Sequence, residues 1–77
     1  MRDKEAEKIV KKLCERLSQL RDEAGLSVEG LSHLTGLSTS TISELENQKT
    51  FPNTLTCVKI CRALDVKLSD VAKDTKF

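Results

Sequence analysis

Along the first third of the chain, apolar residues return at steps of three and four: Ile9, Leu13, Leu17, Leu20 and Ala24, with mostly charged residues between them. That spacing sets them on one stripe of an α-helix and predicts a first helix over about 4–24. Gly25 follows as a stop, because it enters the left-handed conformation without a Cβ penalty. Ser27 is an N-cap for a second helix over about 28–34, and Gly36 interrupts the pattern again. Ser38 caps a third helix over about 39–47, which buries Ile42 and Leu45 and exposes Thr39, Ser40, Ser43, Glu44 and Gln48. Pro52 prevents that helix from continuing. Asn53 caps a fourth over about 54–64, with Leu55, Val58, Ile60, Cys61 and Leu64 as its apolar positions and Asp65 at its end. Val66, Leu68 and Val71 predict a short fifth helix over about 68–74, starting near Lys67 or Ser69. The tail from Asp74 to Phe77 reads as frayed.

The fold class is therefore all-α, and residues 1–77 read as a single domain. Helices two and three stand about four residues apart, the spacing of a helix-turn-helix. Leu31, Leu37, Ile42 and Leu45 form the apolar seam between them. Ser32 is small where the third helix approaches the second, and Gly36 supplies the positive φ of the turn. Ile42 is β-branched and stiff, as a fixed crossing requires.

Residues about 10–72 resemble the phage-repressor and Cro-like (XRE-type) family of helix-turn-helix proteins. The resemblance is carried by Leu20-Arg21, Gly25-Leu26-Ser27, Leu31-Ser32, Gly36-Leu37-Ser38, Thr41-Ile42-Ser43, Leu45-Glu46-Asn47, Pro52 and Ala63-Leu64. It implies a compact five-helix, lambda-repressor-like DNA-binding domain with the third helix in the major groove of double-stranded DNA. Carried over position by position, Thr39, Ser40 and Glu44 face base edges, and Glu44 accepts from a cytosine amino group. Ser38, Ser43, Asn47 and Lys49 face phosphates, and the amide end of helix two at Val28 points at another. The resemblance further implies an ion pair between Arg21 and Glu46, and a homodimeric regulator, repressor-like, with its recognition helices about 34 Å apart. Val66, Leu68, Val71 and Phe77 are the apolar candidates for the dimer contact. Three positions depart from the family pattern: Val28 where Gln is frequent, Gln48 where Gly is common, and Phe51 where a basic residue often stands.

Charge qualifies this picture. The chain carries 13 basic and 12 acidic residues, a net of +1. Residues 25–50 hold Lys49 against Glu29, Glu44 and Glu46, a net of −2. Affinity for DNA rests on cations that neutralise phosphate, so a monomer is expected to bind modestly and a dimer adequately. The same acidity and Phe51 support a different function for the same fold, an antitoxin-like or adaptor module that docks on protein.

Other chemistry is poorly supported. Cys14, Cys57 and Cys61 lack the tight paired spacing of a metal site or a disulfide framework and read as core thiols. His33, beside the buried position Leu34, has no nucleophile or orienting acid at an informative spacing, so neither catalysis nor a cofactor nor a small-molecule substrate is expected. No run approaches the roughly 20 apolar residues of a membrane span, and the charged start Met1-Arg2-Asp3-Lys4-Glu5 leads into no apolar segment. The expected setting is the cytoplasm, at the nucleoid, for a prokaryotic or phage-encoded chain with no membrane partner.

Overall fold

The computed structural model describes residues 3–75. They form five helices: α1 (Lys4–Glu23), α2 (Val28–Thr35), α3 (Thr39–Glu46), α4 (Thr54–Ala63) and α5 (Leu68–Asp74). Four of the five begin at a side-chain cap. Asp3 accepts from the Ala6 amide, Ser27 from Gly30, Ser38 from Thr41 and Asn53 from Thr56, at 2.8–3.1 Å. Each bond satisfies an amide that the first helical turn leaves without a partner. α5 starts after Lys67 without such a bond.

Three helices end in the same device. After α1 the Leu26 amide donates to the Arg21 carbonyl and the Gly25 amide to Asp22; after α3 Lys49 donates to Glu44 and Gln48 to Leu45; after α4 Val66 donates to Cys61 and Asp65 to Arg62. This crossed pair of bonds needs a left-handed residue just past the helix. Gly25 takes that conformation freely, whereas Gln48 (φ 61°) and Asp65 (φ 57°) take it against their own Cβ.

α1 packs on α3 and α5, α2 on α3 and α4, and α4 on α5. The core where they meet is Leu13, Cys14, Leu17, Leu31, Ile42, Leu45, Cys57, Ile60, Cys61 and Val71, with Val10, Leu20, Val28, Leu37, Ala63, Leu64, Val66 and Leu68 partly buried around it. The stripe of α1 thus runs through Val10 and Cys14 as well as Leu13 and Leu17, and Ala24 is exposed.

Leu34, Leu55 and Val58 are corrections to the predicted core: they are 61%, 62% and 37% exposed. α2 turns Val28, Leu31, Ser32 and Thr35 inward, and Leu34 lies roughly 110° around the helix from the centre of that arc. α4 turns Cys57, Ile60, Cys61 and Leu64 inward, which leaves Leu55 on the opposite face. The tail is also tighter than expected at Thr75, which is buried and donates its hydroxyl to the Ala72 carbonyl at 2.6 Å. Phe77, offered above for a dimer contact, lies outside the described residues.

Burial pushes the Cys14 thiol up to about 11, with the nearness of Cys57 adding to it, and raises Cys57 and Cys61 as well. A folded pKa above the unfolded value of about 8.5 means that stability is full below that pH and is lost as pH rises toward the folded value. Unfolding free energy is expected to fall from about pH 9 upward by about 1.4 kcal/mol per pH unit for each thiol, until its folded pKa is reached. Denaturant melts at pH 8 to 10.5 check this, and Cys14→Ala flattens the decline.

Replacing Gln48 by Gly removes left-handed strain and is expected to add about 1 kcal/mol. Calorimetry then shows the melting temperature raised by about 4–8 °C.

Candidate nucleic-acid interface

The turn between α2 and α3 is fixed by side chains as well as by Gly36, whose φ is +75°. Ser32 donates its hydroxyl to the Leu37 carbonyl at 2.5 Å. Thr35 donates to the Leu31 carbonyl at 2.8 Å and accepts from the Leu37 amide at 3.2 Å. With Leu31, Ile42 and Leu45 buried beneath it, the turn sets α3 at one angle to α2 and leaves one α3 face outward.

That face and the first turn of α2 enclose an open groove of about 540 Å³, lined by Val28, Glu29, Thr39, Ser40, Ser43 and Glu44. Five of these six were singled out from sequence; Glu29 was not, although its place beside Val28 in the first turn of α2 was a usable signal. Ser38, Asn47 and Lys49 lie outside the groove lining, at the two ends of α3.

The polar groups around α3 differ in what they have left to offer. Ser38 Oγ already accepts from the Thr41 amide and shares a hydrogen with Thr41 Oγ1 at 2.8 Å. Asn47 Nδ2 donates to Ser43 Oγ at 3.3 Å, which leaves the Ser43 hydroxyl hydrogen to point outward. Lys49 is exposed, carried on the left-handed turn at Gln48. Among the described residues the groove is lined by two carboxylates and no cation.

Beneath this face lies an ion pair. Arg21 of α1 donates from Nε to Glu46 Oε2 at 2.6 Å and from Nη2 to Glu46 Oε1 at 2.9 Å. Ser18 Oγ donates to the same Oε1 at 3.0 Å, and Arg21 Nη1 donates to the Leu26 carbonyl at 2.6 Å. The hydrogen bond to Glu46 pushes the Arg21 pKa above its ordinary value, against the opposing effect of burial. Ser18 and the Leu26 carbonyl were missed in the sequence reading; Ser18 sits one turn before Arg21 on the same side of α1.

The three cysteines are buried, and His33 is exposed on α2. Among the described residues no three His, Cys, Asp or Glu side chains gather as a metal site, and no helix is long and apolar enough to cross a membrane.

Residues 17–71 match the helix-turn-helix family. The HTH-type transcriptional regulator DdrOP3 of Deinococcus deserti is 30% identical over 66 residues, covering 86% of this chain and 51% of that protein. The chain therefore spans about half the length of that relative. The HTH-type transcriptional regulator YgzD of Bacillus subtilis is 32% identical over 56 residues, covering 73% of this chain and 85% of its own. The crystal structure of the restriction-modification controller protein C.AhdI from Aeromonas hydrophila superposes with a TM-score of 0.74 at 32% identity, covering 82% of this chain and 94% of that one.

Removing either partner of the Arg21–Glu46 pair strands a mostly buried charge, a change that costs several kcal/mol when burial is complete. With the two side chains 16% and 12% exposed, Arg21→Ala and Glu46→Ala are each expected to cost about 2–3 kcal/mol. The double variant should cost clearly less than the sum. Additive losses in urea melts would show that the pair is not coupled.

Proposed function

The chain belongs to the helix-turn-helix family, and from that premise we propose that it is a sequence-specific transcriptional repressor that binds double-stranded DNA as a homodimer. The observation that carries this reading is the open groove in which Val28, Thr39, Ser40, Ser43 and Glu44 converge. An exposed helix of small polar residues fits the major groove, which is about 12 Å wide and presents a distinct donor and acceptor pattern for each base pair. On this reading Thr39, Ser40 and Glu44 meet base edges, and Glu44 accepts from a cytosine amino group. Ser38, Ser43, Asn47 and Lys49 meet phosphates, and the amides at Val28 and Glu29 approach another at the positive end of α2.

Lys49 is the one cation among the residues assigned to DNA. Affinity accordingly comes from two copies engaging half-sites about 34 Å apart, with helix-end amides and hydroxyls positioning each copy. The chain acts where its operator lies, in the cytoplasm at the nucleoid. A second reading, a protein-docking module on the same fold, is favoured by the two carboxylates in the groove and by Phe51, which is 51% exposed.

Selection from a random duplex library at low salt is expected to return a near-palindromic consensus. The affinity of the selected site should then fall steeply as salt rises, by about 0.9 per phosphate contact on a log–log plot. Lys49→Ala should weaken all duplexes alike and reduce that slope by about 1, whereas Glu44→Ala should relax preference at one base pair. No enrichment at low salt would overturn DNA binding and leave the docking module.

A further inference from the structure

A second surface lies on the other side of α2. A cleft of about 400 Å³ runs between the end of α2 and the outer side of α4, lined by Leu34, Thr35, Lys59, Arg62 and Ala63. It shares no lining residue with the groove at α3. Leu34 stands 61% exposed in it. Along α4, Leu55, Val58, Lys59 and Arg62 are spaced so that all four share the face turned away from the core. Lys59 and Arg62 are exposed and, among the described residues, have no ion pair or hydrogen bond to another side chain.

We propose that this α2–α4 face is a docking surface for an acidic, leucine-bearing helical segment of a partner protein. Leu34 offers exposed apolar surface inside the cleft beside Ala63, and Leu55 and Val58 are exposed on the same outward face of α4, outside the cleft lining. Lys59 and Arg62 offer unsatisfied positive charge at its edge, which sets the sign of the partner. Two alternatives fit less well. A two-fold contact between copies of this chain would set the same patch against itself, with Lys59 and Arg62 facing like charge and no carboxylate in the lining to relieve it. A nucleic-acid backbone rewards hydrogen-bond donors, but Leu34 has none to give and the Thr35 hydroxyl is committed to the Leu31 carbonyl. Because the face is separate from α3, it can be occupied while α3 is engaged, and the proposal stands whether or not the chain binds DNA.

The test uses the full chain, labelled for amide NMR, and a synthetic helical peptide of about 16 residues, long enough to hold a helix, with Leu at three- and four-residue steps and Glu flanking them. Saturable shifts at Leu34, Thr35, Lys59, Arg62 and Ala63, absent with a peptide in which Lys replaces Glu or Ser replaces Leu, are expected. Leu34→Asp and the pair Lys59→Glu with Arg62→Glu should each weaken peptide binding about tenfold or more, with the amide spectrum of the core unchanged. Shifts centred on Thr39–Glu44, or binding that survives these variants, would overturn the proposal. So would concentration-dependent shifts of the same residues without peptide, which would identify a second copy as the occupant. A random duplex shifting Lys59 and Arg62 more than the peptide does would assign the face to nucleic acid instead.

Discussion

Glu46 is held by three donors from α1, two from Arg21 and one from Ser18, while the third nitrogen of Arg21 holds the carbonyl of Leu26. Four pieces of the chain meet at that point: two turns of α1, the link into α2 and the last turn of α3. An eight-residue helix such as α3 has little stability of its own, since isolated helices shorter than about 12–15 residues are marginal in water. Its orientation is imposed from outside, by the apolar seam of Ile42 and Leu45 on one side and by this charged fork at its end. A guanidinium suits the position because its planar donors match a carboxylate in two-pronged geometry, which fixes direction as well as distance. A lysine would supply charge without that direction.

Helix positions were legible because each boundary carries its own chemistry. Ser27, Ser38 and Asn53 are caps by residue type, and Gly25, Gly36 and Pro52 are breaks by backbone geometry. The inward faces of α2 and α4 were less legible. Leu34, Leu55 and Val58 satisfy an apolar count but miss the buried arc, and in helices of eight and ten residues a count of apolar positions does not fix the rotation about the axis. Only the neighbours fix it, and for α2 these include Ser32 and Thr35, whose hydroxyls are bound into the turn. The left-handed residues at Gln48 and Asp65 were half legible: Gln48 stood out as a departure from Gly, whereas Asp65 read only as a stop.

The site shows a similar division. Spacing and resemblance brought out Val28, Thr39, Ser40, Ser43 and Glu44, and these five share one groove because residues at i, i+1, i+4 and i+5 of α3 face the same way beside the first turn of α2. Glu29 was counted for its charge but not assigned to the site, because an acidic residue in a first helical turn is explained by the helix dipole alone. Ser18 escaped because its bond to Glu46 spans 28 positions of sequence, and no local pattern reports a contact of that range.

Charge distribution ties the two faces of α2 together. On the α3 side the groove is acidic and polar; on the α4 side the cleft is basic and apolar. A chain with a net charge of +1 thus separates its charges across one short helix. Such a distribution is unsuited to indiscriminate attraction to polyanions, which a uniformly basic surface would give. On the proposed reading, Glu29 and Glu44 beside Thr39 and Ser40 would repel phosphate wherever no base donor offset them, and so would lower binding to wrong sequences more than to the right one. Selectivity obtained by penalising the alternatives costs absolute affinity. A small regulator can recover that affinity by adding a second point of attachment, because linking two weak contacts raises the effective concentration of each. A second copy on the same duplex or a protein seated on the α4 side would each supply one, and the separation of the two faces leaves room for both.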